Sequence, residues 1–226
     1  MDIVLSDLFY EIREGNQPRI LLNYINQEFE KGKVTTIAGS SGSGKSTLLY
    51  ALAGILPITN GDVSFGNVSI YTLKENERDL FRLNNIGIVY QNMNLFSFLN
   101  VEDNIVLPYY LKKTEVDDTI KDKVTSYLDM MNLGKIHKKS INSLSGGEQQ
   151  RVAILRAFIA KPQVILCDEP TGALDRGNSI DFMRLLLEMQ ELLKITTIIF
   201  THDEMIFEQG NVRLRMNDGK LSINSD

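Results

Sequence analysis

A glycine- and serine-rich segment carries the strongest chemical signal in the sequence. It reads GSSGSGKST and matches the spacing G-x-x-x-x-G-K-[ST]. Its residues are Gly39, Ser40, Ser41, Gly42, Ser43, Gly44, Lys45, Ser46 and Thr47. Glycines at this spacing let the backbone bend so that successive N–H groups point inward at phosphate oxygens. Lys45 supplies a positive charge for the β- and γ-phosphates of a nucleotide, and the Ser46 hydroxyl can ligate Mg²⁺. The segment therefore predicts a phosphate-binding loop.

A second cluster of chemistry-bearing residues follows an apolar run. The segment QVILCDEP, residues 163–170, places Asp168 and Glu169 after that run. Burying carboxylates at the end of a strand costs free energy of folding, so a pair of them at this position indicates a chemical role. Asp168 fits an acid that organises Mg²⁺, directly or through water, and Glu169 fits a general base for a water that attacks the γ-phosphate. Cys167, in the apolar part of the run, is interpreted as a core residue.

These two clusters need a scaffold that brings the ends of strands to the start of a helix. Short β-branched runs alternate with stretches of helical period, and this alternation favours an α/β fold. The predicted strands cover residues 2–8, 33–38, 86–90, 163–167, 195–200 and 212–216, and the predicted helices cover 45–53, 148–160 and 179–193. The near-continuous apolar runs within 164–167 and 198–200 are typical of strands buried on both faces of a parallel sheet.

The middle of the chain has a different pattern. Residues 95–161 show helical periodicity without a convincing strand, which indicates a helical subdomain inserted into the sheet domain. We therefore expect a single domain over residues 1–226, with a core at approximately 1–93 and 162–226 and a helical subdomain at approximately 94–161.

Composition narrows the classes of function. The chain has 226 residues, a net charge of −5 and 43% hydrophobic residues, which argues against disorder and against a protein that coats nucleic acid. A single cysteine excludes a disulfide framework and a zinc cluster built on several thiolates. No apolar run reaches the roughly 20 residues of a membrane span, and the N-terminus does not look like a signal peptide. We therefore expect a cytoplasmic protein.

A third motif, LSGGEQQ at Leu144–Gln150, lies just ahead of the two carboxylates. Together with the phosphate loop, it resembles the signature of ABC-type ATPases, and the other motifs of that family follow in order. Gln91 matches the Q-loop glutamine, residues 173–175 (ALD) match the D-loop, and His202 matches the switch histidine. The resemblance covers essentially the whole chain. It implies a P-loop NTPase with a mostly parallel, RecA-like sheet core, an N-terminal antiparallel β part and an inserted helical subdomain.

The resemblance also implies a role for each motif in binding and hydrolysing ATP. The residues it assigns to catalysis are Glu169, His202, Gln91 and Lys45, and those it assigns to Mg²⁺ are Ser46, Gln91 and Asp168. Two subunits, identical or related, would enclose two ATP molecules, each held by the phosphate loop of one subunit and closed over by the signature motif of the other. The residues expected to contact ATP from the second subunit are Ser145, Gly146, Gly147, Glu148 and Asp175.

The position that binds adenine departs from the family pattern. The family often stacks adenine on an aromatic residue near the end of the first strand, where this sequence has Ile12, with Phe9 and Tyr10 close by. Adenine rests either on Tyr10 or on an aliphatic face with weaker preference for the base. We expect modest discrimination between ATP and GTP.

The segment Tyr90–Leu111 is similar to the region after the Q-loop in the LolD, MacB and BceA group, above all in NIVLP at Asn104–Pro108. That group partners FtsX-like permeases, so the resemblance implies a separate membrane permease that holds this chain at the inner face of the cell membrane. The apolar residues that lie where such a permease would insert a coupling helix are Leu95, Phe96, Phe98 and Leu99. The alternative is that they form internal core of the helical subdomain.

Three functions fit these motifs. We favour a transporter motor that drives export or extraction of a peptide, lipoprotein or drug-like amphiphile by mechanotransmission. The alternative is an FtsE-like regulator that controls cell-wall hydrolysis through a membrane partner. A DNA-directed ATPase is disfavoured because the chain is acidic and lacks a long coiled coil between Gln91 and Leu144.

Overall fold

A six-stranded, mostly parallel sheet forms the centre of the computed structural model, which describes residues 2–15, 17–172 and 174–223. In spatial order its strands are β10 (Lys220–Ile223), β9 (Val212–Asn217), β3 (Val34–Ala38), β8 (Thr196–Thr201), β7 (Val164–Asp168) and β6 (Ile86–Val89). Only the edge strand β10 runs antiparallel to its neighbour among these described strands. The apolar runs at 164–167 in β7 and 198–200 in β8 are buried throughout, as predicted for strands covered on both faces, and every residue of β3 is buried as well.

A four-stranded antiparallel sheet lies over one face of this centre. In spatial order its strands are β2 (Gln17–Phe29), β1 (Ile3–Glu14), β4 (Asn60–Phe65) and β5 (Val68–Ser69). The sequence predicted only the first part of β1, residues 2–8. Register shifts interrupt the pairing of β1 with β2, and Asp7 and Tyr24 have positive φ angles of 46° and 49°. These irregularities break the strict alternation of apolar and polar residues by which strands are recognised in a sequence.

Seven α-helices and one 3₁₀ helix occupy the described residues. They are α1 (Lys45–Leu52), α2 (Glu75–Asn85), α3 (Val101–Leu111), α4 (Asp118–Met130), the 3₁₀ helix (Ile141–Ser143), α5 (Gly146–Phe158), α6 (Arg176–Leu193) and α7 (Glu204–Phe207). The predicted helices at 45–53, 148–160 and 179–193 correspond to α1, α5 and α6 within three residues at each end. Helix α2 was not predicted, because none of its residues is buried and its sequence, ENERDLFRLNN, has few apolar residues.

Two buried clusters cover the two faces of the central sheet. The first joins α1 and the antiparallel sheet to one face, through residues such as Leu48, Leu22 and Ile198. The second joins α3, α4, α5 and α6 to the other face, through residues such as Leu128, Phe158, Leu186 and Ile199. Residues 94–161 contain α3, α4 and α5 and no strand. Nowhere in the described part of the chain is a helix both long and apolar enough to cross a lipid bilayer.

Candidate functional site

The phosphate loop connects the carboxyl end of β3 to the first residue of α1, at residues 39–44. Gly44 precedes the helix with a φ of +108°, a conformation that L side chains rarely adopt. A Cβ at Gly44 would also lie only 2.6 Å from the carbonyl oxygen of Leu21. Glycine is therefore required here both by the backbone turn and by the close approach of β2. The turn directs the free N–H groups at the start of α1 into the loop, where an anion would bind.

Lys45 lies at the centre of this loop and is buried. Its Nζ donates hydrogen bonds to the carbonyl oxygens of Gly39 at 2.7 Å and Ser40 at 3.1 Å. The Oγ of Ser43 is buried without a hydrogen-bond partner among the described residues. Buried polar atoms in native proteins are normally satisfied by a protein group, a water or a ligand. A phosphate oxygen in the loop would supply that partner.

Asp168 ends β7 beside the start of α1. Its Oδ1 accepts a hydrogen bond from Ser46 Oγ at 3.4 Å, which brings together two of the three residues predicted to organise Mg²⁺. Burial raises the pKa of Asp168, with a further contribution from the neighbouring Glu169, while the Ser46 hydroxyl and Lys45 oppose the shift. The described residues contain no group of three His, Cys, Asp or Glu side chains that could hold a metal by themselves.

Glu169 lies between a cation and a histidine. Its Oε1 is 3.5 Å from Lys45 Nζ, and its Oε2 is 2.7 Å from the Nδ1 of His202, whose backbone N–H donates to the same oxygen at 3.1 Å. The backbone of Glu169 has a φ of +45°, which is uncommon for a residue other than glycine. Its N–H donates to the carbonyl of Phe200 on β8, and its carbonyl accepts from Gly172. Hydrogen bonds to β8 and to Gly172 therefore hold this carboxylate at the mouth of the loop.

These groups surround a cavity of about 620 Å³. The residues that line it are Arg19, Leu21, Ser41, Gly42, Gly44, Lys45, Ser46, Thr47, Gln91, Glu169 and His202. Gln91 follows β6 and packs against Gly172, where an added Cβ would lie 2.8 Å from the glutamine Nε2. The folded chain therefore brings together the loop, the second carboxylate, the glutamine and the histidine, which are up to 161 residues apart in sequence (41 to 202).

A second cavity, of about 460 Å³, adjoins the first and shares Glu169 and His202 with it. It is also lined by Leu174, the second residue of the predicted D-loop. Asp175 is exposed and begins α6 as its N-cap, where it accepts a hydrogen bond from the backbone N–H of Asn178 at 2.9 Å. The two Asn178 bonds hold the pKa of Asp175 below its usual range. Ala173, the first residue of the predicted D-loop, lies outside the described residues.

The signature residues are placed apart from both cavities. Ser145 is the exposed N-cap of α5, and its Oγ accepts from the N–H of Glu148 at 3.3 Å and donates to the Glu148 carboxylate at 2.8 Å. The N–H of Ser145 also donates to that carboxylate, and these bonds hold the pKa of Glu148 below its usual range. Gly146 is exposed and Gly147 is half-buried. Of the residues described as lining either cavity, none comes from 145–148.

The residues near the outer end of the loop differ from those named in the sequence analysis. Tyr10 packs against the buried cluster between the two sheets and is not among the described lining residues of the 620 Å³ cavity. Arg19 and Leu21, on β2, line it instead. Reasoning from sequence missed both, because β2 was not predicted and no motif includes them.

Comparison with known proteins agrees with this geometry. The sequence model of the family described as ABC transporter matches residues 22–172. The lipoprotein-releasing system ATP-binding protein LolD of Buchnera aphidicola subsp. Schizaphis graminum is 35% identical over 224 residues, which cover 99% of this chain and 96% of that protein.

Solved structures show the same likeness along nearly the whole fold. A dimeric structure of MJ0796, a bacterial ABC transporter cassette, is 32% identical with a TM-score of 0.87, and the match covers 97% of this chain and 96% of that one. A dimeric post-hydrolysis state of MJ0796 bound to ADP and Pi is 30% identical with a TM-score of 0.87, and covers 99% of each chain. Because sequence and structure match over almost its full length, the chain belongs to the ABC transporter family, as an ATP-binding cassette that hydrolyses ATP.

Proposed function

We propose that two copies of this chain, or one copy and a related subunit, close around two ATP molecules and drive a separate membrane permease. The observation that carries the proposal is the separation of the two halves of the site. The cavity already combines Lys45, Glu169 and His202, whereas Ser145 and the N-terminus of α5 lie outside it. An anion-binding helix terminus that faces outward can complete a phosphate site on a second molecule. The dimeric MJ0796 structures support this arrangement.

The residues of the cavity fit Mg²⁺ with ATP. Mg²⁺ is usually held by one or two carboxylates together with substrate phosphates, and keeps several waters. Asp168 and Ser46 are hydrogen-bonded to each other beside the loop, and Gln91 lines the same cavity. We assign these three side chains to the metal. When bound, the cation neutralises charge on the β- and γ-phosphates.

Glu169 is our proposed general base. Its carboxylate takes the proton of a water molecule as the water oxygen forms a bond to the γ-phosphorus, and the bond to the β–γ bridging oxygen breaks so that ADP leaves with the electron pair. His202 holds one carboxylate oxygen and lies at the entrance, where it can contact the γ-phosphate. Lys45 balances charge on the other oxygen and on the phosphates. Loss of the γ-phosphate removes a contact between the two subunits and allows the dimer to open.

A groove beside the edge strand β6 is our proposed docking site for the permease. It has a volume of about 310 Å³ and lies between β6, α3 and α5, with apolar walls that include Phe96, Leu107 and Leu111. Phe96 is 42% exposed and Phe98, which packs edge-on against it, is 80% exposed. Leu95 instead packs on the helical cluster. Exposed aromatic residues beside an apolar groove favour docking of an amphipathic segment over an internal-core role for Phe96 and Phe98.

The loop that contributes Asn94 and Phe96 to this groove is held in place by hydrogen bonds. Asn104 is fully buried, and its side-chain amide donates to the carbonyls of Phe96 and Leu99 while its oxygen accepts from the N–H of Phe96. These bonds fix the part of the groove formed by Phe96, which lies five residues after Gln91 in sequence. Movements of the segment that contains Gln91 would therefore be transmitted to a permease bound in the groove.

The likeness to LolD supports a permease of the FtsX-like type and a cargo that is a lipoprotein, peptide or drug-like amphiphile. In this role the chain lies on the inner face of the cell membrane, attached through its permease.

Glu169→Gln tests the sandwich and the general base together. The variant keeps the shape of the side chain but cannot take a proton, so we expect it to bind Mg·ATP, to lose about 10²–10⁴-fold in turnover, and to accumulate a dimer measured by light scattering. Glu188→Gln, at an exposed position on α6, is the matched control and should behave as the wild type. An ATP-loaded Glu169→Gln protein that stays monomeric, alone and with its membrane partner, contradicts the sandwich.

Phe98→Asp tests the docking groove. We expect a tagged Phe98→Asp chain to lose the polytopic membrane protein that co-purifies with the wild type from detergent-solubilised membranes, while its basal ATPase activity is retained. Ile223→Asp is the control, because Ile223 is similarly exposed, at 75%, but lies at the edge strand β10. Full co-purification with Phe98→Asp and with Phe96→Asp would show that the permease binds elsewhere.

A further inference from the structure

A β-bulge in the N-terminal hairpin decides which residues face the nucleotide. Tyr10 pairs with Leu22, the next residue Glu11 pairs with Ile20, and Ile12 pairs with Arg19, so that Leu21 is the extra residue of β2. Directly paired residues of neighbouring strands point to the same face of a sheet. Tyr10 therefore shares the face of the fully buried Leu22, which points into the core.

Ile12 lies on the same face of β1 as Tyr10, so its partner Arg19 shares the face of Leu22, and Arg19 lines the 620 Å³ cavity with Leu21. The backbone of Leu21 abuts Gly44 of the phosphate loop, and Arg19 is two residues further along β2. A strand advances by about 3.3 Å per residue, so Arg19 is about 7 Å beyond the point where the strand touches the loop. That is the part of the cavity into which the sugar and base of a nucleotide would extend from phosphates at Lys45.

The guanidinium of Arg19 is also oriented by a partner. Its Nη1 donates to Glu14 at 2.9 Å across the hairpin, and the side chain remains 49% exposed. A carboxylate that binds one edge of a planar guanidinium leaves both of its flat faces free. Guanidinium groups stack on aromatic rings by cation–π and π-stacking contacts.

We propose that Arg19 stacks on the purine base of the bound nucleotide, in the place that an aromatic residue of the first strand would otherwise take. This inference rests on the proposed nucleotide site and names a specificity-determining residue for it. Stacking reads the face of the base and not its hydrogen-bonding edge, so Arg19 favours purine nucleotides over base-free phosphates and discriminates little between adenine and guanine.

The test compares Mg·ADP with Mg·pyrophosphate, its base-free counterpart, by displacement of a fluorescent ADP from the full-length protein. We expect Arg19→Ala to weaken ADP binding by about 3- to 30-fold and to leave pyrophosphate binding within about 2-fold. Arg19→Phe should retain most of the ADP affinity. Arg13→Ala is the matched control, because it removes the same charge from an exposed position on the same hairpin. It should weaken neither ligand.

Other outcomes are equally informative. Equal weakening of ADP and pyrophosphate by Arg19→Ala would show that Arg19 binds phosphate, and no weakening of either would show that it does not contact the nucleotide. Both results overturn the stacking proposal while the nucleotide site stands. A wild-type protein that binds neither ADP nor pyrophosphate would instead overturn the nucleotide site itself, and the stacking proposal with it.

Discussion

The cavity at the end of the central sheet and the N-terminus of α5 are the two regions that we propose bind phosphate, and they are held in different ways. In the cavity, Lys45, Glu169 and His202 come from three separate segments and contact one another. At α5, Ser145 and Glu148 are three residues apart and satisfy each other within one helical turn. The cavity is therefore a product of tertiary structure, whereas the α5 terminus is formed locally and is available to a second molecule.

The local pairing at α5 has a consequence for the proposed dimer. The Ser145 hydroxyl donates to the Glu148 carboxylate in the single chain. If Ser145 is to donate to the γ-phosphate of the partner's ATP, that hydrogen bond must be exchanged. We therefore expect the first region to bind nucleotide in a monomer, and the second to change partners only when the proposed dimer closes.

Lys45→Ala should have the largest effect, because it removes the buried cation at the centre of the first region. Charged hydrogen bonds to phosphate contribute about 1.5–3 kcal/mol each, so loss of two weakens nucleotide binding by at least about 100-fold. Titration with fluorescent ADP measures the loss. Lys138→Ala, at a side chain that is 76% exposed in the helical region, is the control and should bind normally. A near-normal affinity of Lys45→Ala for ADP would show that the phosphate loop is not part of the nucleotide-binding site.

Ser145→Ala should impair the second region and leave the first unchanged. We expect ADP binding to the monomer to remain normal and ATP turnover to fall by about tenfold or more, because only the dimer uses Ser145. Loss of the helix cap should also lower the free energy of unfolding by about 1 kcal/mol. Asp117→Ala removes the equivalent cap from α4 and is matched for that loss of stability, but it should leave turnover unchanged. An equal loss of ATPase activity in both variants would show that Ser145 acts only as a helix cap.

Asp168→Asn should stabilise the nucleotide-free protein while abolishing hydrolysis. The folded-state pKa of Asp168 is raised by burial, so the folded chain binds more protons than the unfolded chain just above the usual Asp range, and stability falls as pH rises through that window. At neutral pH the buried charge of Asp168 still lowers the free energy of unfolding. Asparagine carries no charge and so avoids this loss. Because Asp168 is partly solvated, we expect a gain of about 1–3 °C in Tm at pH 7 that disappears in acid. Asp118→Asn, at a side chain that is 95% exposed, should show no such gain.

Lys123→Met should have the smallest effect and belongs to the helical region. Lys123 donates to the carbonyl of Ile159, and burial followed by the nearby Lys161 lowers its pKa from 10.5 to about 8. The folded chain therefore binds fewer protons than the unfolded chain between about pH 8 and 10.5, and stability rises as pH increases through this window. Methionine should remove that rise, measured by thermal melts at pH 7 and pH 10. Lys121→Met, on the exposed face of the same helix, should keep it.

Much of the central sheet could be predicted from sequence, and most of the antiparallel sheet could not. Strands β3, β7 and β8 are buried on both faces, and β7 and β8 contain the continuous apolar runs at 164–167 and 198–200. Strand β2 buries residues only at Leu22, Ile25 and Phe29, spacings of three and four that resemble a helix more than a strand. Irregular pairing with β1 causes that spacing. The sequence therefore revealed neither β2 nor the pairing of β2 with β1 that positions Arg19.

The sequence by itself determined the chemistry of the phosphate site. The glycine spacing before Lys45, the carboxylate pair at Asp168 and Glu169, and the serine–glutamate cap of α5 are all local patterns, because each depends on the backbone within one turn or loop. Only the tertiary structure decided which of these groups meet. Parallel pairing of β3, β8 and β7 brings His202 and Glu169 to Lys45, and one extra residue in β2 pairs Arg19 with Ile12, on the face of Tyr10 and Leu22, where it lines the cavity. Strand register and bulges arise from packing between segments far apart in the chain, so no short motif records them.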